Sequence, residues 1–192
     1  MKKILSLSAL VVLSSLSCTV QAADTGFYTA LDVGQAKAKE ACNNTKAGWS
    51  CKNTDTGYRV VGGYQISPRF AIEGSYADYG SAISSSALGV GKLSSSGFEV
   101  SGVGSYPVSE SFFLTGKLGA AFTKVKSDAL AMGYTPNSAN STTLAYGIGG
   151  LYQIDKTIAL RAQYEAFGKV GNAATTGACN LTLLSLGVVV GF

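Results

Sequence analysis

The chain has 192 residues, 14% of them charged and 46% hydrophobic, with 24 Gly, 10 Tyr, 3 Pro and no His. That length suits one domain, and a formal net charge of +4 gives no sign of a nucleic-acid partner. Without histidine, the commonest general base of hydrolases and a main zinc ligand are missing, so no catalytic, cofactor-binding or metal residues are assigned.

Lys2 and Lys3 precede an apolar stretch from Ile4 to about Leu16, and Val20-Gln21-Ala22 offers small residues for cleavage. Residues 1–22 therefore read as a secretory signal peptide, removed after Ala22. The stretch is too short for a membrane-spanning helix, which needs about 20 apolar residues. Ser15-Leu16-Ser17 lacks the leucine a lipobox usually has, and cleavage after Ala22 discards Cys18. Removing Lys2 and Lys3 from 15 basic residues leaves 13 against 11 acidic ones, a net +2 for the domain over 23–192.

Along that domain, segments of roughly ten residues carry an apolar or aromatic side chain at every second position. Period two marks strands, and about ten residues suit a tilted strand crossing a bilayer. Eight are expected, at about 26–36, 57–66, 70–80, 97–107, 112–124, 142–154, 158–168 and 180–192. Three connections are tight, Ser67-Pro68-Arg69, Val108 to Ser111 and Asp155-Lys156-Thr157. Four are long and polar, at about 37–56, 81–96, 125–141 and 169–179. The pattern predicts an all-β fold, an eight-stranded antiparallel up-and-down transmembrane β-barrel, with long loops facing outward and both termini on the short-turn side.

Residues 62–80, GGYQISPRFAIEGSYADYG, align without gaps on 150–168, GLYQIDKTIALRAQYEAFG. Each unit is strand, turn, strand, so one half of the barrel is expected to resemble the other. Strand parity then separates two faces. One carries Phe27, Leu31, Val60, Ile72, Val100, Leu118, Ile148, Leu160, Leu186 and their neighbours in register, with Tyr64, Tyr76, Tyr106, Tyr152 and Tyr164 near strand ends. Such tyrosines fit the aromatic girdles of the two bilayer interfaces. The other face carries Asp32, Arg59, Glu73, Glu99, Lys117, Arg161 and Glu165 among Gly, Ala, Ser and Gln. In a membrane barrel this face lies inside, where these charges and Tyr28 are expected to form a network filling the lumen.

Cys42 and Cys51 bracket CNNTKAGWSC in the first long loop, and in an oxidising compartment they are expected to form a disulfide. Pairing of either with Cys179 stays geometrically open, because the first and last strands of a closed barrel are neighbours. Gly89-Val90-Gly91-Lys92 lacks the spacing of a phosphate loop and reads as a flexible loop tip. Lys37, Lys39, Lys46, Lys52, Lys126 and Lys169 read as solvated loop charge, with lipopolysaccharide phosphates as the alternative partner.

The closing strand, Ser185-Leu186-Gly187-Val188-Val189-Val190-Gly191-Phe192, has a polar residue, a glycine two places on, and alternating apolar residues down to a terminal aromatic. Ser185, Gly187, Val190 and Phe192 resemble the signal by which the barrel assembly machinery recognises its substrates.

Together with Gly26-Phe27-Tyr28, GYRVVGGYQISPRFAIEGSYADYG (57–80), GKLGAAFTKVK (116–126) and GIGGLYQIDKTIALRAQYEAFG (147–168), this strand resembles the OmpA-like transmembrane domain family. Small stand-alone barrels of the OmpX/Opa type are an equally close comparison. The resemblance implies an outer-membrane protein of a Gram-negative bacterium, in contact with outer-membrane lipid and lipopolysaccharide. The family's namesake continues into a periplasmic peptidoglycan-binding domain, whereas this sequence stops at the barrel, so wall anchoring is not expected. A non-enzymatic surface role through the loops is the leading expectation. A narrow porin-like channel of low conductance, or an adhesin or host-interaction protein acting through the loops, is the alternative.

Overall fold

The computed structural model describes residues 25–39, 42, 50–86, 89–129, 137–172 and 177–191. The expected signal peptide and Phe192 lie outside them. Nine strands run β1 (Gly26–Ala38), β2 (Ser50–Lys52), β3 (Thr54–Ser67), β4 (Phe70–Ser86), β5 (Gly89–Pro107), β6 (Phe112–Ala129), β7 (Asn137–Gln153), β8 (Ile158–Asn172) and β9 (Gly177–Gly191). Eight form a ring in which every neighbour is antiparallel, and β2 pairs with the far end of β4 at Ser50↔Ser85 and Lys52↔Ile83. Closure comes from β1 against β9, in register from Tyr28↔Gly191 to Ala38↔Leu181. Each of the eight strands pairs with a neighbour on both sides, which removes the open sheet edge that a bilayer would penalise heavily.

The period-two pattern places the apolar set outside. Ile148 is 71% exposed and Leu186 65%, while Arg59 and Glu165 on the opposite parity are 2% and 1% exposed. Register collects the outer aromatics into two bands. Phe27 pairs with Tyr64 and Phe112 with Tyr152 near the short turns, and Tyr76, Phe98 and Phe122 are side by side on β4, β5 and β6 near the other end. Two bands around an apolar belt are the arrangement lipid interfaces favour.

The short turns are held locally. Asp155 Oδ1 accepts the Thr157 and Ile158 N–H groups, both at 2.8 Å, and these bonds hold its carboxyl below the usual range. Phe112 N–H donates to Ser109 Oγ at 3.1 Å. At the opposite end the expected long loops are largely strand. β4 and β5 continue pairing to Ser86↔Gly89, and β6 and β7 to Ser127↔Asn137. Gly89-Val90-Gly91-Lys92 belongs to the start of β5, not to a loop tip. Polar composition was a poor guide here because ladder bonds are made by backbone groups, and beyond the lipid belt the outer side chains need not be apolar.

Besides a register shift between Gln65 and Ser67 beside the first short turn, two bulges, between Asp78 and Ser81 on β4 and between Ala166 and Lys169 on β8, interrupt the ladders. Each contains a glycine with positive φ, Gly80 at 70° and Gly168 at 63°, where a side chain would strain the backbone. The two glycines are equivalent positions of the internal repeat. Asp78 Oδ1 accepts the Gly80 N–H and Asp55 Oδ2 the Ser81 N–H, each at 2.8 Å, which pins the first bulge.

Cys42 and Cys51 are disulfide-bonded with their Cα atoms 5.8 Å apart, while Cys179 is buried within the barrel. Closing this short loop is worth roughly 2.5 kcal/mol on the chain-entropy model, a gain confined to the loop because the barrel is held by its ladders. Cys42→Ser is therefore expected to leave barrel folding intact while making the first hairpin more protease-sensitive. Loss of the heat-modifiable band in this variant would contradict that.

Candidate functional site

The lumen has three storeys, two of them filled by side chains. In the middle, side chains from β1, β3, β4, β5, β6 and β8 converge into one ion network. Arg59 Nε donates to Asp32 Oδ2 at 2.7 Å, its Nη2 to Gln163 Oε1 at 2.7 Å, and its Nη1 reaches Glu165 Oε2. Arg161 donates through Nη2 to Asp32 Oδ2 and through Nη1 to Glu73 Oε1, both at 2.7 Å. Lys117 Nζ lies 2.8 Å from Glu165 Oε1, 3.2 Å from Glu99 Oε1 and 3.3 Å from Glu73 Oε2. The Tyr28 hydroxyl donates to Glu73 Oε1 at 2.9 Å.

All seven ionisable residues named from parity thus meet in one place, each at most 6% exposed. Tyr28 joins them, and Gln163 is a member that parity placed on the face without singling it out. The strands make room by glycine: a Cβ at Gly187 would overlap the Asp32 carboxylate. Four carboxylates face three bases, so the network carries one excess negative charge when all are ionised. Glu99 stands apart, since Lys117 is the one base among the described residues that reaches it, with Nζ 3.2 Å from Oε1, whereas Asp32, Glu73 and Glu165 each meet two bases.

Above the network, toward the long hairpins, the lumen is apolar, which corrects the expectation of an inner face of charges and small residues alone. Tyr79, Val125, Phe167, Val170, Cys179, Leu181 and Leu183 pack into one cluster with four alanines. Phe167 and Tyr79 meet edge to face with ring centroids 5.0 Å apart. They are equivalent residues of the repeat, one before each bulge glycine. That equivalence was the available signal for the cluster.

Below the network, toward the short turns, lies an open vestibule of about 350 Å³. Its walls mix Val103, Phe113 and Val189 with Gln65, Gln153 and Thr115, and Glu73, Arg161 and Tyr28 form its floor. Of the closing-strand residues, Ser185 points into the lumen, 3% exposed, Gly187 faces Asp32, Val190 is half-buried, and Phe192 is outside the described residues.

The lysines also differ from expectation. Lys37, Lys52, Lys126 and Lys169 are strand residues, in β1, β2, β6 and β8, with exposed side chains. Lys46 is outside the described residues.

Among solved structures, the chain is similar to the attachment invasion locus protein Ail of Yersinia pestis, seen in complex with the heparin analogue sucrose octasulfate (TM-score 0.53, 19% identity, 87% of this chain and 99% of that one). Neisserial surface protein A gives a TM-score of 0.58 at 20% identity, over 87% of this chain and 97% of that one. OprG of Pseudomonas aeruginosa gives 0.50 at 13% identity, over 86% and 92%. At such identities the likeness speaks for the fold alone. No curated protein sequence matches. The family model for the OmpA-like transmembrane domain, however, matches residues 21–192, a span that contains the whole closed ring. The chain belongs to the OmpA-like transmembrane domain family and is an outer-membrane β-barrel of the Gram-negative type.

Proposed function

We propose that this barrel is a plugged, non-enzymatic mount whose useful surface is its long hairpins. The observation that carries the reading is the doubly filled lumen, an ion network capped by an apolar cluster around Phe167, which is 0% exposed. An eight-stranded barrel has an interior just wide enough for side chains, and here large ones occupy its hairpin half. A water path would have to cross both storeys. Purified protein in planar bilayers is expected to show conductance far below that of a 16-stranded porin. Stable open-channel currents of porin size would favour the channel reading instead.

In this reading residues 1–22 direct export, and the short turns and both termini lie in the periplasm. The hairpins of β4–β5, β6–β7 and β8–β9 then stand outside the cell. Their ladders continue well past the Tyr76, Phe98 and Phe122 band, at Ser86↔Gly89 and Asn172↔Gly177, which makes them stiff projections suited to contact. That extension favours an adhesin role as the second reading. Shortening the β6–β7 hairpin beyond Lys126 and measuring binding of the bacteria to host cells tests it, with unchanged binding counting against it.

The last strand is proposed to carry the assembly signal, with Ser185, Gly187, Val190 and Phe192 in the roles their spacing suggests. Deleting Phe192 is expected to lower the yield of inserted barrel in cells more than it lowers the stability of refolded barrel. Equal inserted yields with and without Phe192 would remove that role.

A further inference from the structure

The open vestibule at the turn end has two unlike sides. Below the bulges most inward positions carry charged, polar or small side chains, yet on β6 and β7 the inner wall turns apolar. Phe113 and Leu151 are paired in register there, point inward, and are only half-buried, outside the packed cluster of the hairpin end. Polar side chains would serve better if the mouth held water alone. A large apolar pair kept wet inside a barrel is a surface that marks a contact.

The facing side is polar. Round the ring from β6, the order β7, β8, β9, β1 places β1 directly across the lumen, and β3 stands in the same way across from β7. Tyr28 of β1 and Gln65 of β3 line the vestibule on that side. A Cβ at Gly63 would overlap the Tyr28 ring, so the ring lies against that bare stretch of backbone. The Gln65 amide is fixed by donating through Nε2 to the Ser67 carbonyl at 2.5 Å.

The floor offers both kinds of hydrogen-bonding group side by side, with Arg161 Nη1 2.7 Å from Glu73 Oε1. Thr115 Oγ1, buried at the base of the apolar side, has no hydrogen-bond partner among the described residues. Charges around the mouth balance, Glu73 and Asp155 against Arg161 and Lys156. An anion entering it would approach the excess negative charge of the network behind the floor, and a cation would approach the Arg161 guanidinium. The electrostatics therefore favour a neutral guest.

We infer that this vestibule, about 350 Å³ in volume, is a binding site for a neutral sugar of one or two pyranose rings. A pyranose carries C–H groups on its faces and hydroxyls round its edge. Laid against Phe113 and Leu151 it covers the apolar side, and its hydroxyls, each both donor and acceptor, meet Tyr28, Gln65 and the Glu73–Arg161 pair. The volume lies at the lower end of the range of small-molecule sites, about 300 to 1,000 Å³. An extended peptide needs a groove open at both ends, and here the ion network closes one. A free sugar and the end of a glycan strand share this chemistry. Access from the periplasm rests on the proposed orientation; the site itself does not.

The test uses the full barrel refolded in lauryldimethylamine oxide, because maltoside detergents carry the chemistry in question. Maltose stands for a free sugar, N,N′-diacetylchitobiose for a glycan end, and triglycine for a peptide, each titrated by saturation-transfer NMR. At least one of the two sugars is expected to bind, and the tighter of them names the source. Phe113→Ala and Gln65→Ala are each expected to weaken binding about tenfold, the factor that ~1.4 kcal/mol represents. Ala159→Trp, which fills the vestibule without entering the ion network, is expected to abolish it, and Lys126→Ala at the hairpin end to bind like wild type. Heat-modifiable migration verifies that each variant folds. No saturation transfer to either sugar, undiminished binding by the Ala159→Trp variant, or triglycine binding as tightly as the sugars would each overturn the proposal. Periplasmic access is tested separately, by labelling a Lys156→Cys variant in intact and in permeabilised cells, so a failure of the orientation is distinguishable from a failure of the site.

Discussion

Replacing Ile148 by Arg is expected to cost roughly 2 to 4 kcal/mol of folding free energy in lipid, the amount for a site near the bilayer midplane, and Leu160→Arg, closer to the interface, is expected to cost less. Ile148 pairs across the outer face with Gly116 and Tyr164, between the two aromatic bands, and Leu160 pairs with Val188 and with Tyr152 of the turn-end band. An arginine there must carry its guanidinium through hydrocarbon or bend the bilayer toward it, and no lumen carboxylate is on its side of the wall. The measurement is urea unfolding of the barrel in phosphatidylcholine vesicles. Ala159 pairs with Val189 and Gln153 on the inner face beside the vestibule, so Ala159→Arg points into an aqueous space. If Ala159→Arg abolished folding while both outer variants folded normally, the assignment of inside and outside would be reversed.

The second large effect concerns the lumen. Lys117→Met is expected to destabilise the barrel by about 3 to 5 kcal/mol, because it strips the base shared by three buried carboxylates and leaves them facing one another. Those contacts, to Glu165, Glu99 and Glu73, run from 2.8 to 3.3 Å. Glu99→Gln should cost far less, about 1 kcal/mol or below, since it neutralises the carboxylate that meets one base alone and brings the network to three acids and three bases. The contrast between the two variants is the informative quantity. If Glu99→Gln proved as damaging as Lys117→Met, the charge balance argued here for the lumen would be wrong.

Strand number, closure and the two faces were legible in the sequence because a lipid-facing wall imposes strict alternation. Residues such as Leu118 outside and Lys117 inside have no freedom to exchange without a register slip. The ion network was legible for the same reason: parity alone gathers Asp32, Arg59, Glu73, Glu99, Lys117, Arg161 and Glu165 on one side of a narrow cylinder. What parity did not disclose lies beyond the bulges. Gly80 and Gly168 each insert a residue, so the count that works from Phe70 to Asp78 no longer applies at Ser81. Above them the outer wall is polar and the inner cluster apolar, an inversion of the pattern below that reads as loop when only composition is considered. Tyr79 and Phe167 signalled it, as matched large residues of the repeat on the inward parity. The strand character of Lys124 and Lys126 was hidden in the same way, since they read as a strand end and a loop until the β6 ladder is seen to run on to Ala129.

The central claim is a closed transmembrane barrel resident in the outer membrane, and heat-modifiable migration on SDS gels combined with membrane fractionation tests both halves of it. The account predicts that the unheated protein, recovered in the outer-membrane fraction, migrates faster than the boiled protein. Migration unaffected by heating, with the protein recovered in the soluble periplasmic fraction, would contradict it.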